Sequence, residues 1–259
     1  MSDVGGYLRS LFSLEGRTAL VTGATRGIGH DIALAFAKAG AHILLVQRND
    51  NESTKSEIEA VGGTATIIVA DLSVREQVKS IVPKAIELGY NVDILLNCAG
   101  IQRRHPCAEF PDEDWDEVIQ VNLTTAFLLC RAVGKHILDR KGTGNIINIA
   151  SLNSFQGGLT IPAYASAKGG IAQLTKALSN EWASQGINVN GIAPGYVATD
   201  MNEALIANPT RSRQIMERIP AQRWGSPSDF EGAALFLAGK ACKYVSGEIL
   251  VVDGGWMGR

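Results

Sequence analysis

The sequence predicts one doubly wound α/β domain, in which helices cover both faces of a parallel sheet of about seven strands. Short apolar runs rich in β-branched residues alternate with helix-like stretches along the whole chain, which is typical of βαβ units. Neither a repeat nor a low-complexity linker divides the 259 residues. That length suits a single domain of this class, spanning 1–259, and provides a sizeable core without disulfides.

The composition of the chain excludes several other classes of protein. Hydrophobic residues make up 46% of the chain and charged residues 19%, which excludes an extended disordered protein. The net charge of −2 gives no overall electrostatic footprint for nucleic acid. The four cysteines and four histidines lack zinc-ligand spacing, so we expect reduced thiols and no metal site. We recognise neither a signal peptide nor an apolar run long enough to span a membrane, and therefore expect a cytoplasmic location.

Each element follows from a local pattern. The first strand, 18–22, is an apolar run that stops at glycines, and the next segment, 28–39, has helical apolar spacing and ends at Gly40. The remaining apolar runs are short and continuous, as in strands that are buried on both faces. They lie at 43–46, 66–70, 92–97, 145–150, 187–192 and 248–252.

The segment 196–225 interrupts this alternation. It is polar and partly helical where another compact αβ unit is expected. Long insertions in compact domains often form lids or substrate-binding loops. We therefore predict a substrate loop here.

A glycine-rich turn after the first strand is the first chemical signal. Gly23, Gly27 and Gly29 lie between this strand and the following helix. Glycines at such a point let the backbone approach a pyrophosphate, and the helix N-terminus offers free N–H groups and a positive dipole end. The spacing G-x-x-x-G-x-G differs from the commoner dinucleotide fingerprint, and a turn without a ligand is the alternative. The placement nevertheless favours a Rossmann-type dinucleotide site.

Tyr164 and Lys168 give the second signal. On a helix, residues at i and i+4 share one face about one turn apart. A tyrosine has an ordinary pKa of about 10, and a nearby ammonium favours the phenolate and is expected to lower that pKa. The pair predicts a general acid/base with its own tuning group, although an ordinary amphipathic helix has the same spacing.

Further polar residues fall at the ends of predicted strands, where open α/β sheets bind ligands. Ser151 directly follows one strand, Asn97 ends another, and Pro194 follows a third. Asn122 lies among apolar residues within a helix that we predict over 118–132. These positions indicate one site at the carboxyl edge of the sheet.

Together these motifs resemble those of the short-chain dehydrogenase/reductase family. The resemblance covers nearly the whole chain in the family's order and spacing. It implies a nicotinamide-dependent oxidoreductase that assembles as a homotetramer. The motifs are TGATRGIG (22–29), Asp71, NCAG (97–100), Asn122, Ser151, YASAK (164–168) and PGYVAT (194–199).

The resemblance also implies a role for each matched residue. Tyr164 would protonate a substrate carbonyl as hydride arrives, and Ser151 would stabilise the charge that develops on the oxygen. Lys168 would lower the pKa of Tyr164 and hold the nicotinamide ribose, and Asn122 would position a water connecting Lys168 to solvent. The implied cofactor-binding residues are Gly23, Thr25, Arg26, Gly27, Ile28, Gly29, Arg48, Asp71, Leu72, Asn97, Ala99, Gly100, Tyr164, Lys168, Pro194, Gly195, Val197 and Thr199.

A narrower resemblance is to the family's sugar-acid dehydrogenases of the gluconate 5-dehydrogenase type. It is carried by segments such as IQRRHP, FPDEDWDEVIQVNL, NIASLNSFQGG and RIPAQRWGSPSDFEGAALFLA. Such enzymes interconvert a secondary alcohol and a ketone of a sugar acid, and a guanidinium matches a carboxylate bidentately. Arg104, ahead of Arg103, is therefore the candidate for carboxylate recognition, and a solvated loop arginine is the alternative. The predicted substrate-binding residues are Arg103, Arg104, Ser151, Gln156 and Tyr164.

Two other functions remain open at this point. The chain could reduce another carbonyl, such as a 3-ketoacyl group, an aromatic ketone or a ketose. It could also be a dinucleotide-binding sensor without catalysis. A sensor has little need for the complete set of Asn122, Ser151, Tyr164 and Lys168.

The choice of cofactor rests on the end of the second predicted strand. A preference for NAD usually requires an acidic residue there, to bind the ribose 2′-OH. In this chain the position is Gln47, followed by Arg48, and Arg26 lies within the glycine loop. Two guanidiniums could flank the 2′-phosphate of NADP. We therefore favour NADP(H) and keep NAD(H) as the alternative.

Overall fold

The computed structural model describes residues 3–259 and contains a seven-stranded sheet whose neighbouring strands are all parallel. The strand order is β3-β2-β1-β4-β5-β6-β7, so the chain winds outward from β1 in both directions. The predicted fold class is confirmed. The strands are β1 Thr18–Thr22, β2 His42–Gln47, β3 Thr64–Val69, β4 Val92–Asn97, β5 Gly144–Ile149, β6 Ile187–Pro194 and β7 Ile249–Val252.

Helices cover both faces of the sheet. The α-helices are α1 Val4–Phe12, α2 Gly27–Lys38, α3 Ser53–Ala60, α4 Arg75–Glu87, α5 Asp112–Ile119, α6 Thr125–Asp139, α7 Pro162–Trp182, α8 Glu203–Ile206, α9 Pro209–Arg218 and α10 Glu231–Ala238. Helices α2, α3 and α10 pack on one face, and α4, α6 and α7 pack on the other. None of the helices within residues 3–259 is both long and apolar enough to cross a membrane.

The strands are apolar on both faces because each face has its own core. Side chains alternate across a strand, so Ala19 and Val21 of β1 join the core that contains Phe36. Leu20 points the opposite way and joins the core that contains Leu129. This explains why the strands are continuous apolar runs without polar alternation.

The structure departs from the predicted elements in two places. Helix α1 is not predicted, because it is short and contains Gly5 and Gly6, which disfavour a helix. The single helix expected over 118–132 is instead α5 and α6, joined by the π-helical segment Gln120–Thr124. A π-helix bonds residue i to i+5, so this segment holds one more residue per turn than an α-helix.

The segment 196–225 folds against its own domain. It contains α8 and α9, in line with its partly helical pattern. Ile215 of α9 and Ile219, which directly follows α9, pack against Leu152 and against Trp256 near the C-terminus. These contacts place α9 beside the carboxyl edge of the sheet.

Candidate active site

A cleft of about 1470 Å³ runs along the carboxyl edge of the sheet. It is lined by residues that follow β1, β2, β3, β4, β5 and β6. The register explains why these residues meet, because Thr22 of β1 pairs with Val46 of β2 on one side and with Asn97 of β4 on the other. From the predicted cofactor set, the lining residues are Gly23, Thr25, Arg26, Gly27, Ile28, Gly29, Arg48, Asp71, Leu72, Ala99, Gly100, Tyr164, Lys168, Pro194, Gly195, Val197 and Thr199.

The glycine loop forms one wall of the cleft. Gly23 has φ of +72°, and a Cβ there would lie 2.8 Å from the Ala99 backbone. A Cβ at Gly29 would collide with the carbonyl oxygen of Gly23. Helix α2 begins at Gly27 without a side-chain cap, so its first backbone N–H groups lack side-chain partners. The loop therefore fits a close-lying anion such as a pyrophosphate.

Thr22 connects this loop to the turn after β4. Its Oγ1 accepts hydrogen bonds from the backbone N–H groups of Cys98 (3.1 Å) and Ala99 (3.2 Å). Cys98 lines the cleft, and burial raises the pKa of its thiol to about 11. A thiol with that pKa stays protonated and unreactive near neutral pH.

Gln47 ends β2 with one polar atom unpaired. Its Nε2 donates to the carbonyl oxygens of Asn49 (2.8 Å) and Asn51 (2.7 Å). Its Oε1 is buried and has no hydrogen-bond partner within residues 3–259. Because Gln47 lines the cleft, this acceptor can receive a hydrogen bond from a ligand hydroxyl.

The two arginines predicted to flank a 2′-phosphate differ in their surroundings. Arg48 is exposed and forms no ion pair in the described part of the chain. Arg26 pairs with Asp200 at 2.9 Å, because the segment 196–225 comes over the glycine loop. That Arg26 and Arg48 flank a 2′-phosphate stays a prediction, and in this structure the Arg26 guanidinium is engaged by Asp200. Nearby, hydrogen bonds from Ser73 hold the pKa of Asp71 below its ordinary value.

The opposite wall carries Ser151, Tyr164 and Lys168, which are all buried. Ser151 follows β5, and α7 starts with Pro162 in its first turn, which brings Tyr164 and Lys168 to the same wall one turn apart. The Lys168 Nζ lies 5.6 Å from the centre of the Tyr164 ring and donates to the Ile149 carbonyl oxygen at 2.6 Å.

The electrostatics of this wall differ from expectation. Burial raises the pKa of Tyr164 above its ordinary value, while a hydrogen bond with Ser151 and the charge of Arg104 act to lower it. Burial also lowers the pKa of Lys168, to about 8. That Lys168 lowers the pKa of Tyr164 stays a prediction, because burial is the largest cause of the shift at Tyr164 and the Lys168 Nζ is bound to the Ile149 carbonyl oxygen.

Ser154 and Ser166 are alternatives to Ser151 as the serine beside the substrate oxygen, and the structure distinguishes the three. Ser154 donates to the Lys168 carbonyl oxygen at 2.7 Å and accepts from the Ser151 N–H at 3.3 Å, so its hydroxyl is used within the fold. Ser166 is exposed on the outer side of α7. Of the three serines, only Ser151 combines burial with a position in the cleft.

Asn97 and Asn122 lie behind the cleft instead of lining it. Asn97 donates to the Asn148 side chain at 2.9 Å, so its predicted place beside the cofactor is not supported. Both residues line a separate internal cavity of about 10 Å³, together with Thr22 and Lys168. That volume is at the lower limit for one water molecule, about 10–15 Å³. A water there would have polar partners that include Lys168.

The five predicted substrate-binding residues all line the cleft, but the two arginines among them differ in their ion pairs. Arg103 contacts Glu117 at 2.7 Å and Asp114 at 3.4 Å, so its charge is used within the protein. Arg104 is exposed, lines the cleft and has no ion-pair partner within residues 3–259. Gln156 also lines the cleft.

Several lining residues are missed by the sequence reasoning. Trp256, to which the sequence assigns no role in the site, borders the cleft with Ile215 and Arg218. The Arg218 guanidinium lies 3.9 Å from the centre of the Trp256 ring. No local pattern joins α9 to the chain end, since only the tertiary fold brings them together. Within residues 3–259, no group of His, Cys, Asp or Glu is placed to hold a metal ion.

Comparisons with known proteins agree with this site. A 2-dehydro-3-deoxy-D-gluconate 5-dehydrogenase from Pseudoalteromonas atlantica is 49% identical over 251 residues, which cover 96% of this chain and 98% of that protein. The gluconate 5-dehydrogenase of Gluconobacter oxydans is 42% identical, with 95% of this chain and 96% of that protein covered.

Among solved structures, a gluconate 5-dehydrogenase from Burkholderia cenocepacia, in complex with NADP and tartrate, matches with a TM-score of 0.92. It is 39% identical, with 97% of this chain and 99% of that chain covered. The family model for short chain dehydrogenases matches residues 17–210. The family model and the relatives agree with the geometry of the site, which combines a glycine loop with buried Ser151, Tyr164 and Lys168. The chain therefore belongs to the short-chain dehydrogenase family.

Proposed function

We propose that this protein is an NADP(H)-dependent oxidoreductase that interconverts a secondary alcohol and a ketone of a sugar acid. The observation that carries the proposal is the single cleft, which has a glycine loop on one wall and buried Ser151, Tyr164 and Lys168 on the other. The names of the relatives from Pseudoalteromonas and Gluconobacter support the sugar-acid class.

The cleft fits a nicotinamide dinucleotide. The uncapped start of α2 and the close approach allowed at Gly23 suit the pyrophosphate. The buried Oε1 of Gln47 suits a ribose hydroxyl donor. Arg48 supplies an unpaired guanidinium for a 2′-phosphate, and the Burkholderia relative was solved with NADP. NAD(H) remains the alternative, because Arg26 is paired with Asp200.

The bound cofactor supplies the hydride in the reductive direction and accepts it in the oxidative direction. Tyr164 is the catalytic acid, and its raised pKa keeps the hydroxyl protonated and able to donate to the carbonyl oxygen. Ser151 stabilises the negative charge that develops on the same oxygen. Lys168 titrates close to neutral pH, with a pKa of about 8, and can therefore pass a proton between Tyr164 and the internal cavity lined by Asn122.

Arg104 is the proposed partner of the substrate carboxylate. It lines the cleft without an ion-pair partner, and it lies near enough to Tyr164 for its charge to act on that hydroxyl. Arg103 is the weaker candidate because Glu117 and Asp114 hold it. Gln156 is proposed as a further polar contact to the substrate, since it also lines the cleft.

We also propose that segment 196–225 acts as the substrate loop, and that the protein works in the cytoplasm as a homotetramer. The proximity of α9 to the cleft supports the loop assignment. Exposed Trp115 and Phe127 on α5 and α6 offer apolar surface for assembly. Light scattering coupled to size-exclusion chromatography measures the assembly directly.

The test of function is a substrate panel followed through nicotinamide absorbance. Sugar acids, polyols, aromatic ketones and 3-ketoacyl thioesters are each assayed with NADP(H) and with NAD(H). We expect the highest kcat/KM with a keto or hydroxy sugar acid and NADP(H). Preference for a neutral ketone or an acyl thioester would contradict the substrate class, and tight cofactor binding without any turnover would identify a sensor.

A further inference from the structure

Arg104 lies between two residues that are tethered to the same carboxylate. On one side, the Arg103 Nε lies 3.4 Å from Asp114 Oδ1. On the other, the His105 Nε2 lies 2.6 Å from Asp114 Oδ2. Asp114 is part of α5, whereas Arg104 belongs to an irregular segment beyond β4. One side chain of α5 thus anchors both neighbours of an arginine that has no ion-pair partner within residues 3–259.

Other contacts of His105 keep this segment against the cleft. Its backbone N–H donates to the Thr160 carbonyl oxygen at 3.1 Å, which connects it to the loop beyond β5. Its ring meets the edge of Phe110, with 5.3 Å between the ring centres. Arg103 has a second carboxylate partner in Glu117, at 2.7 Å. These contacts use the charge of Arg103 within the protein and leave Arg104 facing the cleft.

We propose that Asp114 is a positioning residue for substrate recognition, which holds Arg103 and His105 so that Arg104 is directed at the substrate carboxylate. The inference rests on the proposed function of Arg104. Asp114 does not line the cleft and acts only through its neighbours. A pre-oriented guanidinium loses less rotational freedom when the substrate binds, which strengthens binding without a new contact.

The sign of the charge effect makes this inference testable. A carboxylate near an anionic substrate repels it, so removal of the Asp114 charge alone would tighten binding of the acid. Loss of positioning has the opposite effect. Arg103 and His105 now donate to different oxygens of Asp114. In Asp114→Asn only one of these oxygens remains as an acceptor, and the NH₂ group that replaces the other would face a donor. An increase in KM for an acidic substrate therefore reports positioning and not charge.

The experiment compares Asp114→Asn with Asp116→Asn in the full-length protein. Asp116 lies on the same helix, is exposed and forms no side-chain hydrogen bond or ion pair in the described residues. For Asp114→Asn we expect KM for the acidic substrate to rise about fivefold, with kcat and the KM of an uncharged ketone changed by less than about twofold. For Asp116→Asn all three values should match the parent. An unchanged or lower KM for the acid in Asp114→Asn overturns the inference.

A double-mutant cycle with Arg104→Ala separates this inference from the proposed function. If Asp114 acts through Arg104, Asp114→Asn has no further effect on KM in the Arg104→Ala background. A full additional increase in that background would show that Asp114 acts by another route. If Arg104→Ala itself spares the acidic substrate, carboxylate recognition by Arg104 is the part that fails. An equal loss of kcat/KM for the uncharged ketone in Asp114→Asn would show general damage to the fold, and would also overturn the positioning role.

Discussion

The side-chain amide of Asn122 forms hydrogen bonds to the backbone of Ile101 with both of its polar groups. The Ile101 N–H donates to Asn122 Oδ1 at 2.8 Å, and Asn122 Nδ2 donates to the Ile101 carbonyl oxygen at 2.8 Å. Ile101 begins the segment that carries Arg104. The π-helical turn between α5 and α6 therefore fixes the start of the segment that carries Arg104, which we assign to recognition of the substrate carboxylate.

We expect Asn122→Ala to destabilise the protein by about 1–3 kcal/mol, because the backbone N–H and C=O of Ile101 lose their partners in a partly buried place. Urea denaturation measures the change in the free energy of unfolding. Asn180→Ala is the matched control, since Asn180 is an exposed asparagine on α7. Equal stability of the two variants would contradict a structural role for the Asn122–Ile101 pair.

Tyr164→Phe should retain the fold and cofactor affinity while turnover falls by about 10²–10⁴-fold. Only the hydroxyl is removed, and the buried ring keeps its packing. The measurement is kcat, with cofactor affinity followed by fluorescence titration as the control. Turnover within a few-fold of the parent would show that another group is the acid.

The lowered pKa of Lys168 predicts a dependence of stability on pH. Between a folded pKa of about 8 and the ordinary value of 10.5, the unfolded state binds the proton and the folded state does not. The contribution of Lys168 to stability therefore rises as pH increases through this range, and is least favourable below pH 8. The rise is at most about 3 kcal/mol.

Lys168→Met removes this titration and serves as the reference. We expect the parent to gain unfolding free energy relative to Lys168→Met between pH 7 and pH 10, as measured by denaturant titration at fixed protein concentration. A parent that loses stability relative to the variant over this range would mean that the folded-state pKa of Lys168 is raised and not lowered.

Arg104→Ala should raise KM for an acidic substrate and lower kcat/KM by the equivalent of about 1.5–3 kcal/mol, because a charged hydrogen bond is lost. An uncharged analogue should be much less affected. Steady-state kinetics with both substrates give the comparison. Similar losses for the two substrates would count against recognition of a carboxylate.

Arg48→Asp should reverse the cofactor preference, because a carboxylate beside Gln47 repels a 2′-phosphate and can bind a ribose 2′-OH. The ratio of kcat/KM for NADP(H) to that for NAD(H) measures the effect. Arg26→Ala should change this ratio less than Arg48→Asp does, since Arg26 is paired with Asp200. A parent that prefers NAD(H), or a ratio unchanged in Arg48→Asp, would refute our assignment of the end of β2.

The sheet was predictable because its information is local. Continuous apolar runs such as Val92–Asn97 have the same appearance in any doubly wound fold, and the glycine loop must follow β1 for steric reasons. The π-helical turn at Gln120–Thr124 was not predictable, because its sequence is compatible with a regular helix and its Asn122 is bound to Ile101, a residue distant from the turn in the chain. Tertiary contact overrides local preference there.

The residues of the site were predictable from the sequence, but the ion pairs that they form in the fold were not. Ser151, Tyr164 and Lys168 follow from strand ends and helical spacing, and the structure places all three on one wall. The partners of Arg26 and Arg103 depend on which distant carboxylates the fold brings near. Likewise, the pKa values of Tyr164 and Lys168 depend on burial, which spacing alone does not reveal.

The π-helical turn also makes chain length itself a determinant of this site. Removal of one residue from Gln120–Thr124 would let α5 and α6 join as one regular helix, because the wide π-helical turn is what accommodates the extra residue. The residues of this turn would then lie at other positions, and Asn122 would be taken away from the backbone of Ile101 although both residues were still present. We therefore expect a single-residue deletion here to loosen the start of the segment that carries Arg104, without the loss of Asn122, Ile101 or Arg104 themselves.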